Sequence, residues 1–377
     1  MSLDPEVRRG LVGVIADTTA ISTVNLDTNS LLYRGYPVQD LAATCSFEEV
    51  AHLIWHAELP TAAELEALQR MGRQLREVPQ PILDALAQLP ASCHPMDVLR
   101  TAVSLLGAAD HGEDDASPDA NLAKAMGLMA KLPTVVAWEM RRRRGQVRIP
   151  PDPGLSFVDN FFHMCFGVVP DREVTRCFET SLVLYAEHGF NASTFTARVI
   201  TSTEADLYSA VTGAIGALKG RLHGGANEAV LEMFDEIGEP AHAEAWLASA
   251  LGAKHKIMGF GHRVYKSGDS RVPIMEASLR RLAAARDGER LMAMYDRLAE
   301  AMATSKGIFP NLDYATGPAY HLMGFDTPTF TPIFVTSRIT GWTAHVMEQL
   351  EHNSLIRPLS SYVGVPERRV QPLAQRR

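Results

Sequence analysis

A histidine on a glycine-rich turn is the most chemically suggestive feature of this sequence. Gly259 and Gly261 flank Phe260, and His262 follows directly. Glycine lets a backbone turn sharply and lets a ligand approach closely, and a histidine can donate or accept a proton near neutral pH. Three cations follow within a span of nine residues: Arg263, Lys266 and Arg271. This combination suits an anionic substrate whose carbonyl group must be polarised, although a surface turn with solvated charges fits the same residues.

A second histidine precedes two glycines in the stretch Leu-His-Gly-Gly-Ala-Asn-Glu-Ala-Val at 222–230. The residues after the glycines have a helical pattern, which places His223 at the start of a helix. The positive end of a helix dipole disfavours an imidazolium. The sequence therefore predicts a neutral His223 that donates a hydrogen bond.

A carboxylate with apolar neighbours lies in the stretch Phe-Pro-Asn-Leu-Asp-Tyr at 309–314. Pro310 and Asn311 predict a loop. Asp313 lies between Leu312 and Tyr314, and apolar surroundings raise the pKa of a carboxyl, which favours a general base. A polar residue with a purely structural role remains the alternative for each of these three sites.

The remaining sequence predicts mainly helices. Ser46–Glu49 and Thr61–Glu64 match the capping box that starts a helix, and Pro60 separates the two to give a helical hairpin. Residues 11–38 predict a short β-hairpin. Because long strand patterns are absent, the predicted fold class is all-α. A further helix is marked by Val98, Ala102, Leu105 and Leu106, and others are predicted at 122–144, 157–167, 171–187, 204–218, 225–236, 242–255, 273–286, 289–304 and 327–351.

Length and composition narrow the function classes. A chain of 377 residues exceeds one average domain. The net charge of −8 argues against a general nucleic-acid binder. The polar, charged start at 1–10 is not a signal peptide, and no apolar run approaches the roughly 20 residues of a membrane helix. Four cysteines without a C-x-x-C spacing indicate free thiols in a reducing compartment, so a cytoplasmic protein without nucleic-acid or membrane partners is expected.

A zinc site is the further possibility that His52 and His56 raise, since they lie four residues apart. The glutamate of an H-E-x-x-H motif is missing, and no third ligand is evident. The sequence therefore predicts no metal site.

Taken together, the motifs resemble those of the citrate synthase family over nearly the whole chain, in its short bacterial form. The resemblance implies an all-α, two-domain fold, with a large domain at 1–219 and 326–377, a small domain at 220–325 and the active site between them. The motifs that carry it are Tyr-Ala-Glu-His-Gly-Phe-Asn-Ala-Ser-Thr at 185–194, Leu-His-Gly-Gly-Ala-Asn-Glu at 222–228, Gly-Phe-Gly-His-Arg-Val-Tyr at 259–265, Pro-Asn-Leu-Asp at 310–313, Phe-Thr-Pro-Ile-Phe-Val-Thr-Ser-Arg at 330–338 and Ile-Arg-Pro at 356–358.

The resemblance implies a role for each candidate residue. Asp313 would remove a proton from an acyl-CoA, His223 would donate to the enol oxygen, and His262 would polarise the carbonyl of oxaloacetate. The dicarboxylate would be bound by His188, Arg271, Arg338 and Arg357, with Arg73 as a weaker candidate. Coenzyme A would be held by Lys256, Ile257, Met258, Gly259 and Phe260, and by Lys266 at a phosphate. It enters as the acyl-CoA substrate, so no separate cofactor is implied.

The same resemblance implies a homodimer in which Arg357 reaches the partner's active site. One departure is visible: many family members have Asp-Pro-Arg where this chain has Asp-Ser-Arg at 269–271. The arginine is retained, so only the stiffness of this loop is affected.

The acyl group of the CoA substrate is the feature that the sequence determines least. The stretches 311–324 and 268–271 resemble 2-methylcitrate synthases of actinobacteria more than dedicated citrate synthases. We therefore expect propionyl-CoA as a substrate beside acetyl-CoA, with room for the extra methyl group left by the small residues Ala315, Thr316 and Gly317. The alternatives are a strict citrate synthase, a non-catalytic scaffold that binds coenzyme A or a dicarboxylate, and an ATP-dependent citrate-cleaving enzyme. The complete catalytic trio disfavours the scaffold, and the missing phosphate-binding loop disfavours the ATP-dependent enzyme.

Overall fold

The computed structural model describes residues 7–265 and 268–376, so Lys266 lies outside the described residues. Within these ranges the regular structure is sixteen α-helices, one small sheet and a few single 3-10 turns, which confirms the all-α class. The helices are α1 Val38–Thr44, α2 Phe47–His56, α3 Ala62–Leu75, α4 Gln80–Ala87, α5 Pro95–Ala108, α6 Pro118–Arg143, α7 Phe157–Phe166, α8 Arg172–Tyr185, α9 Ala192–Thr201, α10 Leu207–Leu218, α11 Ala226–Ile237, α12 Ala243–Gly252, α13 Val272–Ala285, α14 Glu289–Lys306, α15 Leu312–Leu322 and α16 Phe330–Glu351.

The sheet is the β-hairpin region that the sequence predicts. Strands β1 (Ser22–Asn25), β2 (Ser30–Tyr33) and β3 (Tyr36–Pro37) are antiparallel and lie in sequence order. Leu31 and Tyr33 are buried, as alternation along a strand places every second side chain on the core face.

Capping boxes start α2 and α3 as predicted. The hydroxyl of Ser46 accepts a hydrogen bond from Glu49 N–H, and the Glu49 carboxylate accepts one from Ser46 N–H at 2.7 Å. Thr61 and Glu64 repeat the arrangement for α3. These reciprocal bonds satisfy N–H groups that the helix itself leaves without partners.

Four helices lie outside the predicted ranges: α1, α4, α9 and α15. Helix α4 is difficult to predict from the sequence because of two prolines: Pro79 precedes it and Pro81 lies in its first turn. Helix α9 is capped by Asn191, whose side chain accepts hydrogen bonds from the N–H groups of Ser193 and Thr194. Its β-branched residues weaken the helical pattern.

Helix α15 begins directly after the loop that Pro310 and Asn311 predict. Asn311 caps the helix by accepting a hydrogen bond from Asp313 N–H at 3.1 Å, so Asp313 lies in the first helical turn. Gly317 and Pro318 are poor helix formers inside it. Gly317 is required by packing, because a Cβ there would lie 2.6 Å from the carbonyl oxygen of Asn227 on α11.

Helix α16 is the centre of the larger core. It is buried along most of its length and packs on α2, α6, α8, α9 and α10. Helices α11 to α15 pack mainly on one another, while α13 also packs on α8. The domain boundaries at 219/220 and 325/326 therefore stay a prediction.

No described helix combines the length and the apolar composition that crossing a membrane requires.

Because α16 closely approaches the loop after α8, we expect Gly341→Ala to destabilise the fold strongly. The new Cβ would overlap Glu187 Oε2 and lie 2.6 Å from the carbonyl oxygen of Ala186. Both atoms are buried, so we expect a loss of about 1–3 kcal/mol in the free energy of unfolding. The measurement is the midpoint of urea or thermal unfolding.

Gly127→Ala in the interior of α6 is the matched control. The nearest atom to its new Cβ is the flexible Lys131 Nζ at 3.6 Å, so alanine should be neutral or stabilise by about 0.5–1 kcal/mol. Equal midpoints for the two variants would contradict the packing described for α16.

Candidate active site

Six of the predicted functional side chains converge where five segments meet. The rings of His188 and His262 are 4.8 Å apart. The charges of Arg271 and Arg338 both lower the pKa of Asp313. His188 follows α8, His223 precedes α11, His262 and Arg271 lie between α12 and α13, Asp313 starts α15, and Arg338 is in the middle of α16. A cleft of about 250 Å³ opens beside His262, Tyr265 and Asp269. His223, His262 and Asp313 are half-buried, which leaves them accessible to a ligand.

Asp313 has the environment of a base that works near neutral pH. The loss of hydration raises its pKa to about 6, while a hydrogen bond from Tyr185 and the charges of Arg271 and Arg338 oppose the rise. The hydroxyl of Tyr185 donates to Asp313 Oδ1 at 2.5 Å. The pKa moves in the direction that the apolar neighbours predict.

Tyr185 is a residue that the sequence analysis did not single out. Its hydroxyl also contacts Thr316 Oγ1 at 2.6 Å, so it connects the end of α8 to the first turns of α15. It begins the motif at 185–194. Tyr185 and Asp313 are 128 residues apart in the sequence, so local spacing does not predict their contact.

His223 is neutral, but chiefly for another reason than the predicted one. Burial is the main cause that lowers its pKa to about 3, and the charge of Arg338 adds to it. The N–H of Ser193 points at His223 Nε2 at 3.2 Å. Ser193 Oγ lies 2.8 Å and Asn191 Oδ1 lies 3.1 Å from this nitrogen, but of these three groups only the backbone N–H has a fixed role, because it can only donate. We therefore assign the proton to Nδ1, which can donate to a ligand.

His262 is the second neutral histidine. Burial lowers its pKa to about 4, followed by the effect of Arg271. Val264 N–H donates to His262 Nδ1 at 3.1 Å. Because a backbone N–H can only donate, Nε2 carries the proton and is the donor available to a ligand.

His188 is buried more deeply than the other two histidines. Burial holds its pKa well below the usual range, and Arg271, His262 and Arg338 lower it further. Its Nε2 lies 3.1 Å from the hydroxyl of Tyr265.

Two buried guanidinium groups bring positive charge to the site. Arg271 donates to Asp269 through Nε at 2.9 Å and through a terminal nitrogen at 2.7 Å. Arg338 donates through Nε to the carbonyl oxygen of Tyr185 at 2.6 Å and lies over the ring of Phe334. Planar guanidinium groups bind carboxylates through two parallel hydrogen bonds, so the pair suits a dicarboxylate.

The predicted coenzyme A segment joins the His262 loop to the start of α15. Gly259 O accepts a hydrogen bond from Asn311 N–H at 2.8 Å, and Gly261 N–H donates to Phe309 O at 2.9 Å. Gly259 has a φ of 78°, and a Cβ there would lie 2.6 Å from Val230 Cγ2. Ile257 and Phe260 are buried, whereas Lys256 is exposed.

Two predicted ligands do not join this cluster within the described chain. Arg357 is exposed beyond α16. Arg73 is half-buried on α3, where its charge acts on Glu48 and Arg76.

The histidine pair on α2 has structural contacts. The rings of His52 and His56 are 4.2 Å apart, and His52 Nδ1 lies 3.0 Å from Glu58 O. No three histidine, cysteine or carboxylate side chains in the described ranges are grouped closely enough to hold a metal ion.

Comparison with known proteins gives consistent matches over the whole chain. The family model "Citrate synthase, C-terminal domain" matches residues 10–359. The chain is 63% identical to the 2-methylcitrate synthase of Mycobacterium tuberculosis H37Rv, covering 98% of this chain and 93% of the relative. It is 58% identical to the citrate synthase of Mycolicibacterium smegmatis, covering 97% of each chain. A citrate synthase from Thermoplasma acidophilum, solved with carboxymethyl coenzyme A and oxaloacetate, superposes with a TM-score of 0.94 at 33% identity, covering 98% and 100%.

The environments of His223 and His262 predict opposite neutral tautomers. At about pH 6, where an exposed histidine is largely protonated, both rings should be neutral, with the proton on Nδ1 of His223 and on Nε2 of His262. Nitrogen NMR of histidine-labelled protein measures this, with His223→Gln and His262→Gln variants for assignment. A charged ring, or the same tautomer at both positions, would contradict the assigned hydrogen bonds.

Proposed function

The chain belongs to the citrate synthase family, and from this premise we propose that it makes 2-methylcitrate from propionyl-CoA and oxaloacetate, with acetyl-CoA as a second substrate. Condensation of an acyl-CoA with oxaloacetate is the reaction of this enzyme. The observation that carries the proposed mechanism is the meeting of one carboxyl with a pKa of about 6, neutral histidines and two buried arginines.

In the proposed first step, Asp313 removes a proton from the carbon next to the thioester. The Nδ1–H of His223 donates to the thioester oxygen, where negative charge develops as the enol forms. A neutral donor of this kind stabilises the enol without holding a net charge in the site.

In the second step the enol carbon attacks the ketone carbon of oxaloacetate and a carbon–carbon bond forms. The Nε2–H of His262 polarises the ketone oxygen and then supplies the proton that makes it a hydroxyl. Arg271, Arg338 and His188 hold the two carboxylates of oxaloacetate. Water then cleaves the thioester, which releases free CoA and the tricarboxylate. The proton released by the new carboxyl group restores His262, and Asp313 returns its proton to solvent.

Coenzyme A is proposed to lie along 256–260, with Lys266 at a phosphate. The pairing of Gly259 and Gly261 with 309–311 supports this proposal, because a ligand bound along that segment would lie close to Asp313. Coenzyme A enters with the substrate, and the proposed mechanism uses no other cofactor.

Substitution of Asp313 tests the proposed base. Asp313→Asn should lower turnover by roughly 10²–10⁴-fold.

The pH dependence of the reaction is a second test of the proposed base. The hydrogen bond from Tyr185 lowers the pKa of Asp313. Its loss in Tyr185→Phe should therefore raise that pKa and move the acidic limb of kcat/KM to higher pH.

Tyr314→Phe is the matched control for this test. It removes a hydroxyl one residue from Asp313 that donates instead to Tyr295 O at 2.9 Å. An acidic limb that stays in place in Tyr185→Phe, or that moves equally in both variants, would remove Asp313 from the proposed role.

The preference for propionyl-CoA rests on the stretches 268–271 and 311–324. It also rests on the relatives, some of which are named 2-methylcitrate synthase and others citrate synthase. Gly317 does not provide room for the extra methyl group, because α11 fills the space that a side chain at this position would occupy. The hydroxyl of Thr316 is hydrogen-bonded to that of Tyr185. One methylene is worth only about 1–3 kcal/mol in discrimination. The proposal is therefore a preference and not an exclusion of acetyl-CoA.

The test of the acyl preference is kcat/KM for the two acyl-CoAs under one condition, followed by release of free CoA. We expect propionyl-CoA to be used at least as well as acetyl-CoA, which would place the enzyme in the methylcitrate cycle. If propionyl-CoA is worse by more than about 100-fold, the enzyme is a strict citrate synthase of the tricarboxylic acid cycle. No turnover of either would favour the scaffold.

We also propose a homodimer in which Arg357 binds substrate in the partner's site. The exposure of Arg357 supports this, as does the exposed apolar chain around it, which includes Leu355, Leu359 and Tyr362. Mixing Arg357→Ala with Asp313→Asn chains under conditions of subunit exchange should restore part of the activity, since one site of the hybrid is intact. Verified hybrids without recovered activity would contradict the shared site.

A cytoplasmic location is the remaining proposal. The four cysteines are free thiols, and burial raises the pKa of Cys177 to about 12, which protects it from oxidation. Fractionation of the source cells tests the location.

A further inference from the structure

The β1–β2 hairpin contacts both loops that carry the proposed oxaloacetate ligands. On one side it contacts the loop after α8, which carries His188. Ser22 Oγ donates to Glu187 Oε1 at 2.9 Å and accepts a hydrogen bond from Gly189 N–H at 2.8 Å. Tyr33 donates through its hydroxyl to Glu187 O at 2.9 Å. His188 is therefore flanked on both sides by residues that the hairpin holds.

On the other side the hairpin contacts the loop 268–271, which carries Arg271. Asn29 donates through its side-chain amide to Gly268 O at 3.0 Å. Leu31 N–H donates to Ser270 Oγ at 3.3 Å. These bonds lie on both sides of Asp269, the carboxylate that holds Arg271.

Ser270 continues this contact into the site. Its hydroxyl donates to the hydroxyl of Tyr265 at 3.4 Å, and Tyr265 in turn lies 3.1 Å from His188 Nε2. Ser270 thus supplies a side-chain oxygen that both accepts the bond from Leu31 and reaches Tyr265.

Asn29 is suited to its position by conformation as well as by chemistry. It ends the turn between β1 and β2 with a φ of 47°, in the left-handed region that asparagine tolerates better than most residues. Its amide is then directed to the backbone of the Arg271 loop and not to its own turn.

We propose that the β1–β2 hairpin, through Asn29 and Ser270, is a positioning element that sets the affinity for oxaloacetate. It fixes the loop 268–271 against the His188 loop, so that Arg271 and His188 are already oriented when the dicarboxylate arrives. Orientation before binding raises affinity because less freedom is lost on binding. This inference rests on the proposed function, since it takes oxaloacetate as the ligand of those two residues.

The test uses four variants of the full-length protein. Asn29→Gly removes the amide while keeping the backbone angle accessible, and Asn29→Asp replaces the donor by an acceptor. Ser270→Ala removes the hydroxyl, and Ser270→Thr retains it. The control is Asp27→Asn, an exposed residue in the same turn.

Asn29→Gly, Asn29→Asp and Ser270→Ala should each raise the KM for oxaloacetate by about 3- to 10-fold, the effect of losing one hydrogen bond. The kcat and the KM for acyl-CoA should stay within about twofold. Ser270→Thr and Asp27→Asn should behave as the unaltered enzyme.

Two results would overturn the inference. One is an unchanged KM for oxaloacetate in the three disruptive variants of an active enzyme. The other is a parallel loss of kcat and of affinity for both substrates, which indicates general damage to the fold. If the unaltered chain does not condense oxaloacetate with either acyl-CoA, the proposed function itself has failed, and the two failures are thus distinguishable.

Discussion

The buried ion pair between Asp269 and Arg271 is the interaction on which the arrangement of the site depends. A buried charge is costly unless it is paired and hydrogen-bonded. Asp269 meets this condition with two bonds from the Arg271 side chain, one from Arg271 N–H and one from Leu312 N–H at the start of α15. Burial alone would raise the pKa of Asp269, but Arg271 holds it below its usual range. One carboxylate thus fixes the arginine and the helix that carries Asp313.

The same exclusion of water gives the ionisable groups of the site different charges at neutral pH. Burial lowers the pKa values of the histidines and raises that of Asp313 to about 6. The arginines resist neutralisation because a guanidinium gives up its proton only at very high pH. Near neutrality the site therefore combines neutral hydrogen-bond donors, fixed cations and a carboxylate that can lose and regain a proton. Groups whose pKa values are moved apart in this way are typical of acid–base catalysis.

Local patterns in the sequence predict the parts of the fold that local interactions determine. The capping boxes at Ser46 and Thr61 are confirmed because each is closed by residues three positions apart. Helix α15 is missed because its glycine and proline are accommodated by packing on α11, which local propensity does not include. The neutral state of His223 is predicted, but its partner Ser193 lies 30 residues away. Contacts of this kind depend on the tertiary fold and not on spacing.

Arg338 shows how the fold keeps a buried cation ready for a ligand. Burial lowers the pKa of Arg338, and the charge of Glu187 opposes this effect. Within the described chain, however, Arg338 forms no ion pair with a carboxylate. Glu187 Oε1 is instead engaged by His345 Nε2 at 2.9 Å and by Ser22. Glu187 can therefore stabilise the guanidinium through space without occupying its donors. A direct ion pair with Glu187 would occupy these donors, whereas the present arrangement leaves them available for bidentate binding of a carboxylate.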